Sequence, residues 1–243
     1  MIGAAEKSSI IRMFHVHHNY GPKKALIDIT IDIARNEFVF ISGPSGAGKT
    51  TLLKLLYLGE PVSEGQILID GINLARIPRK RVPLLRRKFG VIFQDYKLIP
   101  TKNVYDNVAL VLEAAGTKKR LTQKKVRRVL RLVGMEDRIK SYPPSLSGGE
   151  QQRIAVARAI IGDPKIILAD EPTGSLDEES AEIILDLLRG VHIRGATVII
   201  ATHDKALMRK TGGHILHLQQ GRLETSVYLE KQYDNAIFQT RDR

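Results

Sequence analysis

Cysteine and tryptophan are both missing from the 243 residues, and each absence excludes a class of site. Without cysteine, the chain has no disulfide framework, no thiolate metal site and no cysteine nucleophile. Without tryptophan, and with only 5% of its residues aromatic, it has little with which to stack the bases of single-stranded nucleic acid. Hydrophobic residues make up 43% of the chain, which is enough for a sizeable globular core.

Long apolar runs are missing as well. No run approaches the roughly 18 consecutive apolar residues that a membrane-spanning helix requires. The stretch Met1 to Ser9 is mixed and polar, unlike the apolar segment of a signal peptide. We therefore expect a soluble or peripheral protein.

Acidic residues are outnumbered by basic ones, so the formal net charge is +12. Much of the excess lies in two segments, Arg76 to Lys88 and Lys118 to Arg131. Clusters of this kind occur on nucleic-acid-binding surfaces, on surfaces that face anionic membranes, and on ordinary solvated faces. Neither cluster interleaves aromatic residues, so we expect a solvated or membrane-facing surface and no nucleic-acid partner.

The most informative stretch is a glycine-rich loop between a short apolar run and a helix-forming run. It matches the pattern G-x-x-x-x-G-K-[ST] at every specified position, with the residues Gly43, Pro44, Ser45, Gly46, Ala47, Gly48, Lys49 and Thr50. Glycine backbones adopt the angles that wrap a phosphate chain, and N–H groups at the helix start face the anion. The loop therefore predicts a bound nucleotide, with Lys49 reaching the terminal phosphates and the Thr50 hydroxyl ligating magnesium.

A predicted buried strand is followed by two carboxylates that could serve as a metal ligand and as a catalytic base beside this loop. Residues 166–169 are apolar, and Asp170 and Glu171 follow them directly. Strand ends converge beside the phosphate loop in an open α/β sheet, which would bring Asp170 close to magnesium. Glu171 can then orient or deprotonate an attacking water molecule. His203 follows another apolar strand, 197–201, and we expect it at the same edge.

Strand patterns of two kinds frame these motifs. Alternating residues at 10–16 and 25–33, and the run 66–69 before the turn Asp70-Gly71, predict antiparallel strands. Near-continuous apolar runs at 165–169 and 197–201 are typical of a buried parallel sheet.

The pattern changes between residues 95 and 145, where strand-like runs vanish. Residues 104–115 and 122–133 predict helices, the second capped by Thr122. From Tyr228 onward the chain is polar and poorly patterned, which predicts a frayed tail.

A second motif brings a family resemblance. Leu146, Ser147, Gly148, Gly149, Glu150 and Gln151 resemble the signature motif of the ATP-binding-cassette (ABC) ATPases, upstream of the acidic strand as in that family. The resemblance covers nearly the whole chain. It implies an α/β fold: a P-loop NTPase (ABC ATPase) core with a mixed sheet, an antiparallel β subdomain and an inserted α-helical subdomain. We assign the core to 10–94 and 146–223, the insertion to 95–145, and terminal extensions to 1–9 and 224–243.

The resemblance also implies roles for individual residues. Tyr20 matches the aromatic residue that stacks on adenine, and Thr51 joins the loop in binding ATP. Gln94 matches the glutamine at the junction with the helical subdomain, which senses magnesium. His203 matches the switch histidine that contacts the γ-phosphate. The implied sets are Glu171, His203 and Gln94 for catalysis; Thr50, Gln94 and Asp170 for Mg²⁺; and Ser175, Leu176 and Asp177 for the D-loop, which crosses to the opposite subunit.

The signature motif and the phosphate loop together imply a dimer. Ser147 and Glu150 have the spacing of a capping box, so a helix start there would present free N–H groups, a second anion-binding site. Since the phosphate loop already binds the nucleotide of its own chain, we expect this helix start to contact a nucleotide that is bound by another copy. The resemblance implies the same arrangement, in which two chains sandwich two ATP molecules and ATP stabilises the homodimer.

Further stretches narrow the resemblance to one group of the family. Residues 82–95 and 104–108, with Leu146 to Arg153, closely resemble the bacterial cell-division group FtsE. That group works with a polytopic membrane partner, FtsX, and controls cell-wall hydrolases without moving a substrate. We therefore expect a peripheral ATPase at the cytoplasmic face of the bacterial inner membrane, with ATP and Mg²⁺ as cofactors.

Three alternatives stay open. One is a component of a true importer or exporter, which only its membrane partner would distinguish, and the other two are more specific. One is the ATPase subunit of a lipoprotein-release or macrolide-exporter type of transporter. The other is a soluble ATPase that acts on nucleic acid or ribosomes, although such proteins usually carry two cassettes in one chain or a long coiled-coil insertion.

Overall fold

Two β-sheets and the helices around them make up residues 8–230, the part of the chain that this computed structural model describes. The strands are β1 (Ser9–Tyr20), β2 (Lys23–Ala34), β3 (Phe38–Ser42), β4 (Glu64–Ile69), β5 (Ile72–Asn73), β6 (Phe89–Ile92), β7 (Ile166–Asp170), β8 (Thr197–Ala201), β9 (Gly213–Gln219) and β10 (Arg222–Leu229). The α-helices are α1 (Lys49–Leu56), α2 (Val82–Arg86), α3 (Val104–Ala114), α4 (Lys119–Leu132), α5 (Gly148–Ile160), α6 (Glu178–Ile193) and α7 (Lys205–Thr211). Predictions for residues 1–7 and 231–243 lie outside the described residues.

The larger sheet is mixed and has the strand order β10-β9-β3-β8-β7-β6. Strand β3 pairs in parallel with both β8 and β9, and β7 pairs in parallel with β8 and β6. The predicted parallel strands at 165–169 and 197–201 are thus confirmed, and the structure shows that they pair with each other. The carboxyl ends of five strands therefore meet at one edge, which is where open α/β sheets bind ligands.

The smaller sheet is antiparallel and has the order β2-β1-β4-β5, as the alternating patterns predict. A backbone hydrogen bond from Ile27 N to Gly221 O, 2.7 Å long, joins this sheet to the turn between β9 and β10. Strand β2 thus lies next to the core sheet.

Alternate residues of the central strands face two separate hydrophobic cores, as the period of two in a strand requires. Phe38 and Phe40 pack with the α3–α6 side, whereas Val39 and Ile41 pack with α1 and the antiparallel sheet. Burying each side chain of this size contributes about 1.5–3 kcal/mol relative to leaving it exposed. Layers on both faces hold the carboxyl edge of the sheet in place.

Helices α3 and α4 lie within the predicted insertion, but the prediction that Thr122 caps α4 is wrong. The helix starts at Lys119, with Lys118 as its N-cap residue. Gly116 has a left-handed backbone, with φ at 76°, and ends the segment of α3. The next helix can therefore begin at Lys119, three residues before Thr122. Thr122 is instead buried inside the helix, where its hydroxyl donates to Lys118 O at 3.4 Å.

The carboxyl-terminal prediction is also wrong in part, because β10 continues to Leu229. The strand pairs with β9, and the ring of Tyr228 stacks on His214 with centroids 4.3 Å apart. An edge strand with one solvated face carries few apolar residues, so its pattern resembles that of a tail. Helix α7, capped by Asp204, was not predicted either. Among residues 8–230, no helix has the length and apolar character needed to cross a membrane.

Candidate active site

One cleft of about 450 Å³ brings together most of the residues that the sequence singled out. Its lining consists of Tyr20, Lys23, Ala25, Pro44, Ser45, Gly46, Gly48, Lys49, Thr50, Thr51, Gln94, Asp170, Glu171, Gly174 and His203. Gln94 follows β6, Asp170 ends β7 and His203 follows β8, so the cleft lies at the carboxyl edge of the core sheet. Gly43 and Ala47 belong to the same loop without lining the cleft.

The phosphate loop needs glycine at two positions for reasons of space. A Cβ on Gly43, at φ 144°, would lie 2.1 Å from Leu218 O, and one on Gly48, at φ 105°, would lie 2.6 Å from Ala25 O. No L side chain fits either contact, because the loop backbone lies directly against β9 and β2. Both residues also have positive φ angles, which glycine adopts without strain. Gly48 is also the N-cap residue of α1. The first three residues of this helix, Lys49, Thr50 and Thr51, line the cleft.

Lys49 is held at the centre of this loop and is 8% exposed. Its Nζ donates to Gly43 O at 2.8 Å and to Pro44 O at 3.1 Å, and it lies 3.8 Å from Glu171 Oε1. An ammonium beside the start of a helix makes this end of the cleft strongly attractive to an anion.

Glu171 is fixed by its backbone and by two side chains. Its φ of 45° lies in the left-handed region, which a residue with a side chain occupies only where its surroundings hold it there. Here Glu171 N donates to Ala201 O at 2.8 Å, Thr202 Oγ1 donates to Oε2 at 3.1 Å, and His203 Nδ1 lies 2.8 Å from Oε1. The carboxylate is therefore oriented before any substrate arrives, which suits a group that positions or deprotonates water.

Asp170 is a partly buried carboxyl whose pKa is shifted by its surroundings. Burial raises the pKa of Asp170, the nearby Glu171 charge adds to that rise, and the Thr50 hydroxyl and Lys49 oppose it. Its buried Oδ1 has no hydrogen-bond partner among residues 8–230. A carboxylate oxygen without a donor, beside a threonine hydroxyl, is a suitable ligand for a hard cation such as Mg²⁺.

The signature residues begin α5 as predicted. Ser147 Oγ accepts from Glu150 N at 3.2 Å, and Glu150 Oε2 accepts from Ser147 N at 2.8 Å, which completes the predicted capping box. Ser147 and Gly148 are exposed, and none of the predicted signature residues lines the 450 Å³ cleft within residues 8–230. A Cβ on Gly149 would lie 2.7 Å from Ser180 Oγ, so glycine there lets α5 approach the start of α6.

The predicted D-loop residues lie beside the segment after Gln94. Tyr96 Oη lies 3.2 Å from Ser175 Oγ, and Asp177 caps α6 through a 2.8 Å hydrogen bond from Ser180 N. Leu176 lines a shallow depression beside Glu171 and His203. The predicted D-loop residues thus lie next to the cleft without lining it.

Sequence reasoning missed several residues that shape this site. Arg158 donates to Tyr96 O and Lys97 O, each at 2.6 Å, and so supports two consecutive left-handed residues after Gln94. Lys23 adds a second cation to the cleft, and Thr202 orients Glu171. Only Thr202, next to His203 at a strand end, carried a signal in the sequence.

Comparisons with known proteins agree with this geometry. The sequence profile described as "ABC transporter" matches residues 26–174, more than half of the chain. The chain is 43% identical over 216 residues to the cell division ATP-binding protein FtsE of Streptococcus pneumoniae serotype 2, covering 88% of the chain and 94% of that protein. It is 42% identical over 219 residues to FtsE of Escherichia coli K12, covering 90% and 99%.

Solved structures agree as well. The dimeric structure of a bacterial ABC transporter cassette superposes with a TM-score of 0.85 at 34% identity, covering 91% of this chain and 100% of that one. A dimeric post-hydrolysis state of an ATP-binding cassette, bound to ADP and Pi, superposes with a TM-score of 0.84 at 33% identity, with the same coverage. The predicted ABC ATPase fold is therefore confirmed. The chain belongs to the ABC transporter family, and it is an ATPase similar to the FtsE proteins.

Proposed function

We propose that this chain is the ATP-binding and ATP-hydrolysing subunit of a membrane-associated complex of FtsEX type, acting in cell division. The observation that carries the proposal is the convergence of the phosphate loop, Gln94, Asp170, Glu171 and His203 on one cleft. The likeness to FtsE proteins over nearly their whole length supports the cell-division role.

In this proposal, the adenine of ATP stacks on Tyr20 and its phosphates lie on the loop around Lys49. Glu171 orients the attacking water and accepts its proton, while His203 contacts the γ-phosphate from the open side of the cleft. Thr50, Asp170 and Gln94 would hold Mg²⁺, which would neutralise phosphate charge. The buried Oδ1 of Asp170, which has no hydrogen-bond partner in the described part of the chain, supports that assignment.

The proposed active form is a homodimer in which ATP is shared. Ser147 and Gly148 open α5 outside the cleft, so they are available to a nucleotide held by a second copy. Both superposing cassettes are described as dimeric, which supports this arrangement. ATP binding would then close the dimer and shift the conformation of a polytopic membrane partner of FtsX type, with hydrolysis as the reset. The chain itself would lie at the cytoplasmic face of the bacterial inner membrane, held there by that partner.

Glu171→Gln tests the proposal because it removes the water-activating carboxylate and keeps the shape of the side chain. We expect ATP to bind as in the parent, turnover to fall at least ~100-fold, and an ATP-dependent dimer to accumulate in size-exclusion chromatography. Lys49→Ala is the control that should neither bind ATP nor dimerise. Turnover at the parental rate in Glu171→Gln would contradict the assignment of Glu171.

The trapped dimer also identifies the partner. Membrane extracts passed over Glu171→Gln with ATP should retain a polytopic protein that Lys49→Ala does not retain. Retention of the membrane subunit of a lipoprotein-release or macrolide exporter would replace the cell-division role by the exporter role and leave the ATPase assignment standing.

A further inference from the structure

Helix α4 carries more positive charge than any other helix in residues 8–230, and the proposed function does not use it. Its sequence, Lys119–Leu132, contains no acidic residue and seven basic ones: Lys119, Arg120, Lys124, Lys125, Arg127, Arg128 and Arg131. Among residues 8–230, only Lys125 and Arg131 of this helix have carboxylate partners, which are Asp163 and Glu136. The other five are exposed and form no salt bridge within the described part of the chain.

The positions of these charges destabilise the helix. Cations in the first turn face the positive end of the helix dipole, and no acidic residue compensates them there. Arg120 and Lys124, and then Lys124 and Arg128, are like charges four residues apart, a spacing that destabilises helices. The helix is held instead by its buried face of Val126, Val129 and Leu130. A merely solvated face would gain from mixed charges, so this arrangement favours an anionic partner.

The exposed face also contains apolar side chains. Arg120, Lys124, Arg127 and Arg131 follow the spacing i, i+4, i+7, i+11 and form a cationic stripe. Beside it lie Leu121 and Leu132, which are 48% and 50% exposed, with Arg128 between them. Leu132 and Arg194 also line a cleft of about 440 Å³ between α4 and the end of α5, whose one acidic lining residue, Asp163, is paired with Lys125.

We propose that this face of α4 is a docking surface for an anionic phospholipid membrane. Phospholipid headgroups complement the cationic stripe, and exposed leucines beside cations suit the boundary between headgroups and acyl chains. Single-stranded nucleic acid fits less well, because the helix offers no aromatic residue for stacking on bases. Duplex nucleic acid would bind the cations but would leave the exposed Leu121 and Leu132 without an apolar environment. The inference goes beyond the proposed function, since it needs neither ATP nor a membrane partner.

The test uses the purified full chain and vesicles of phosphatidylcholine, with or without phosphatidylglycerol. A variant carrying Arg120→Gln, Lys124→Gln, Arg127→Gln and Arg128→Gln loses four charges of the surface that form no salt bridge within residues 8–230. The control, with Arg76→Gln, Arg79→Gln, Lys80→Gln and Arg81→Gln, loses the same charge from the other exposed basic segment. Parental ATPase rates in both variants confirm that they are folded.

We expect the parent to co-sediment with the phosphatidylglycerol vesicles and not with phosphatidylcholine alone. Because each basic residue near an anionic surface strengthens binding measurably, the α4 variant should bind at least ~10-fold more weakly, and the control less than ~2-fold. Equal losses in both variants would mean that net charge alone attracts the chain, and the inference would fall. It would fall equally if no vesicle binding occurs, or if only duplex DNA binds and the α4 variant abolishes that binding. In each case the ATPase assignment is unaffected.

Discussion

His203 Nδ1 lies 2.8 Å from Glu171 Oε1, so an imidazole that is 71% exposed contacts a carboxylate that is only 12% exposed. Thr202 holds the other oxygen of the same carboxylate. Glu171 directly follows β7, and His203 follows the neighbouring parallel strand β8. In the proposed reaction, this contact links the group that handles water to the group that contacts the γ-phosphate.

We predict that His203→Ala lowers kcat at least ~10-fold, because Glu171 loses a partner that orients it and the γ-phosphate loses a contact. ATP affinity should change less than kcat, since the phosphate loop and Tyr20 are intact. Steady-state ATPase kinetics and an equilibrium nucleotide titration separate the two effects. His15→Ala is the matched control, because His15 is an exposed histidine paired with Asp28 outside the cleft. Equal activity in both variants would contradict the role of His203.

We predict that Asp170→Asn makes the metal-free protein more stable while it abolishes Mg²⁺-dependent turnover. The carboxylate of Asp170 is partly buried, and its Oδ1 has no hydrogen-bond partner among residues 8–230, so removing the charge should raise the free energy of unfolding by up to about 1 kcal/mol. Thermal unfolding in EDTA measures the first effect, and a Mg²⁺ titration of ATPase activity measures the second. A lower unfolding midpoint in EDTA would show that Asp170 serves the fold and not the metal.

The cleft was predictable from the sequence because its residues occupy strand ends and a glycine loop, where local pattern and chemistry coincide. Asp170 ends and His203 follows a near-continuous apolar run that identifies a buried strand, and Lys49 lies in a glycine-rich loop with a recognisable pattern. Thr122 was misassigned because a threonine near a helix start resembles a cap, and only the backbone at Gly116 shows that the helix starts earlier. Strand β10 and the support from Arg158 could not be predicted, since both depend on contacts between residues far apart in the chain.

Asp70 is the clearest case of a stabilising contact between distant segments. Its carboxylate contacts Arg35 and Lys88 and lies 3.0 Å from Lys165 Nζ, so it joins the turn after β4 to the ends of three other segments. Hydrogen bonds from Lys88 and Arg35, with that from Lys165, hold the pKa of Asp70 well below its ordinary 3.8, although burial opposes this.

We predict that Asp70→Asn lowers the free energy of unfolding by about 1–3 kcal/mol at neutral pH, because three cations lose a common acceptor. The folded-state pKa is depressed, so the contribution is present above pH 3.8 and is lost as the pH falls further. The difference between parent and variant should therefore shrink in acid, as denaturant titrations at several pH values would show. Asp186→Asn, at a pair with an exposed carboxyl, should cost less than ~0.5 kcal/mol. A difference that stays constant into acid would mean that packing and not charge stabilises the turn.

Tyr228 fastens the edge strand β10 to the core through Glu37. Its hydroxyl donates to Glu37 Oε1 at 2.6 Å, where His214 Nδ1 also lies at 2.7 Å. Burial alone would raise the pKa of Glu37, but the hydrogen bonds from His214, Tyr228 and Ala34 N outweigh it and keep that pKa low. The bond to the Glu37 carboxylate in turn raises the pKa of Tyr228 to about 12.

We predict that Tyr228→Phe lowers the free energy of unfolding by about 0.5–1 kcal/mol at neutral pH, because the stacking on His214 stays and only the hydrogen bond is lost. The folded-state pKa of Tyr228 lies above its ordinary 10.0, so the bond contributes fully below pH 10 and its contribution disappears as the pH rises through about 12. The gap between parent and variant should therefore close over that alkaline range in denaturant titrations. Tyr142→Phe is the control, since its exposed hydroxyl has no hydrogen-bond partner within residues 8–230. If the gap persisted at pH 12, the hydroxyl would be stabilising β10 by a route other than the Glu37 carboxylate.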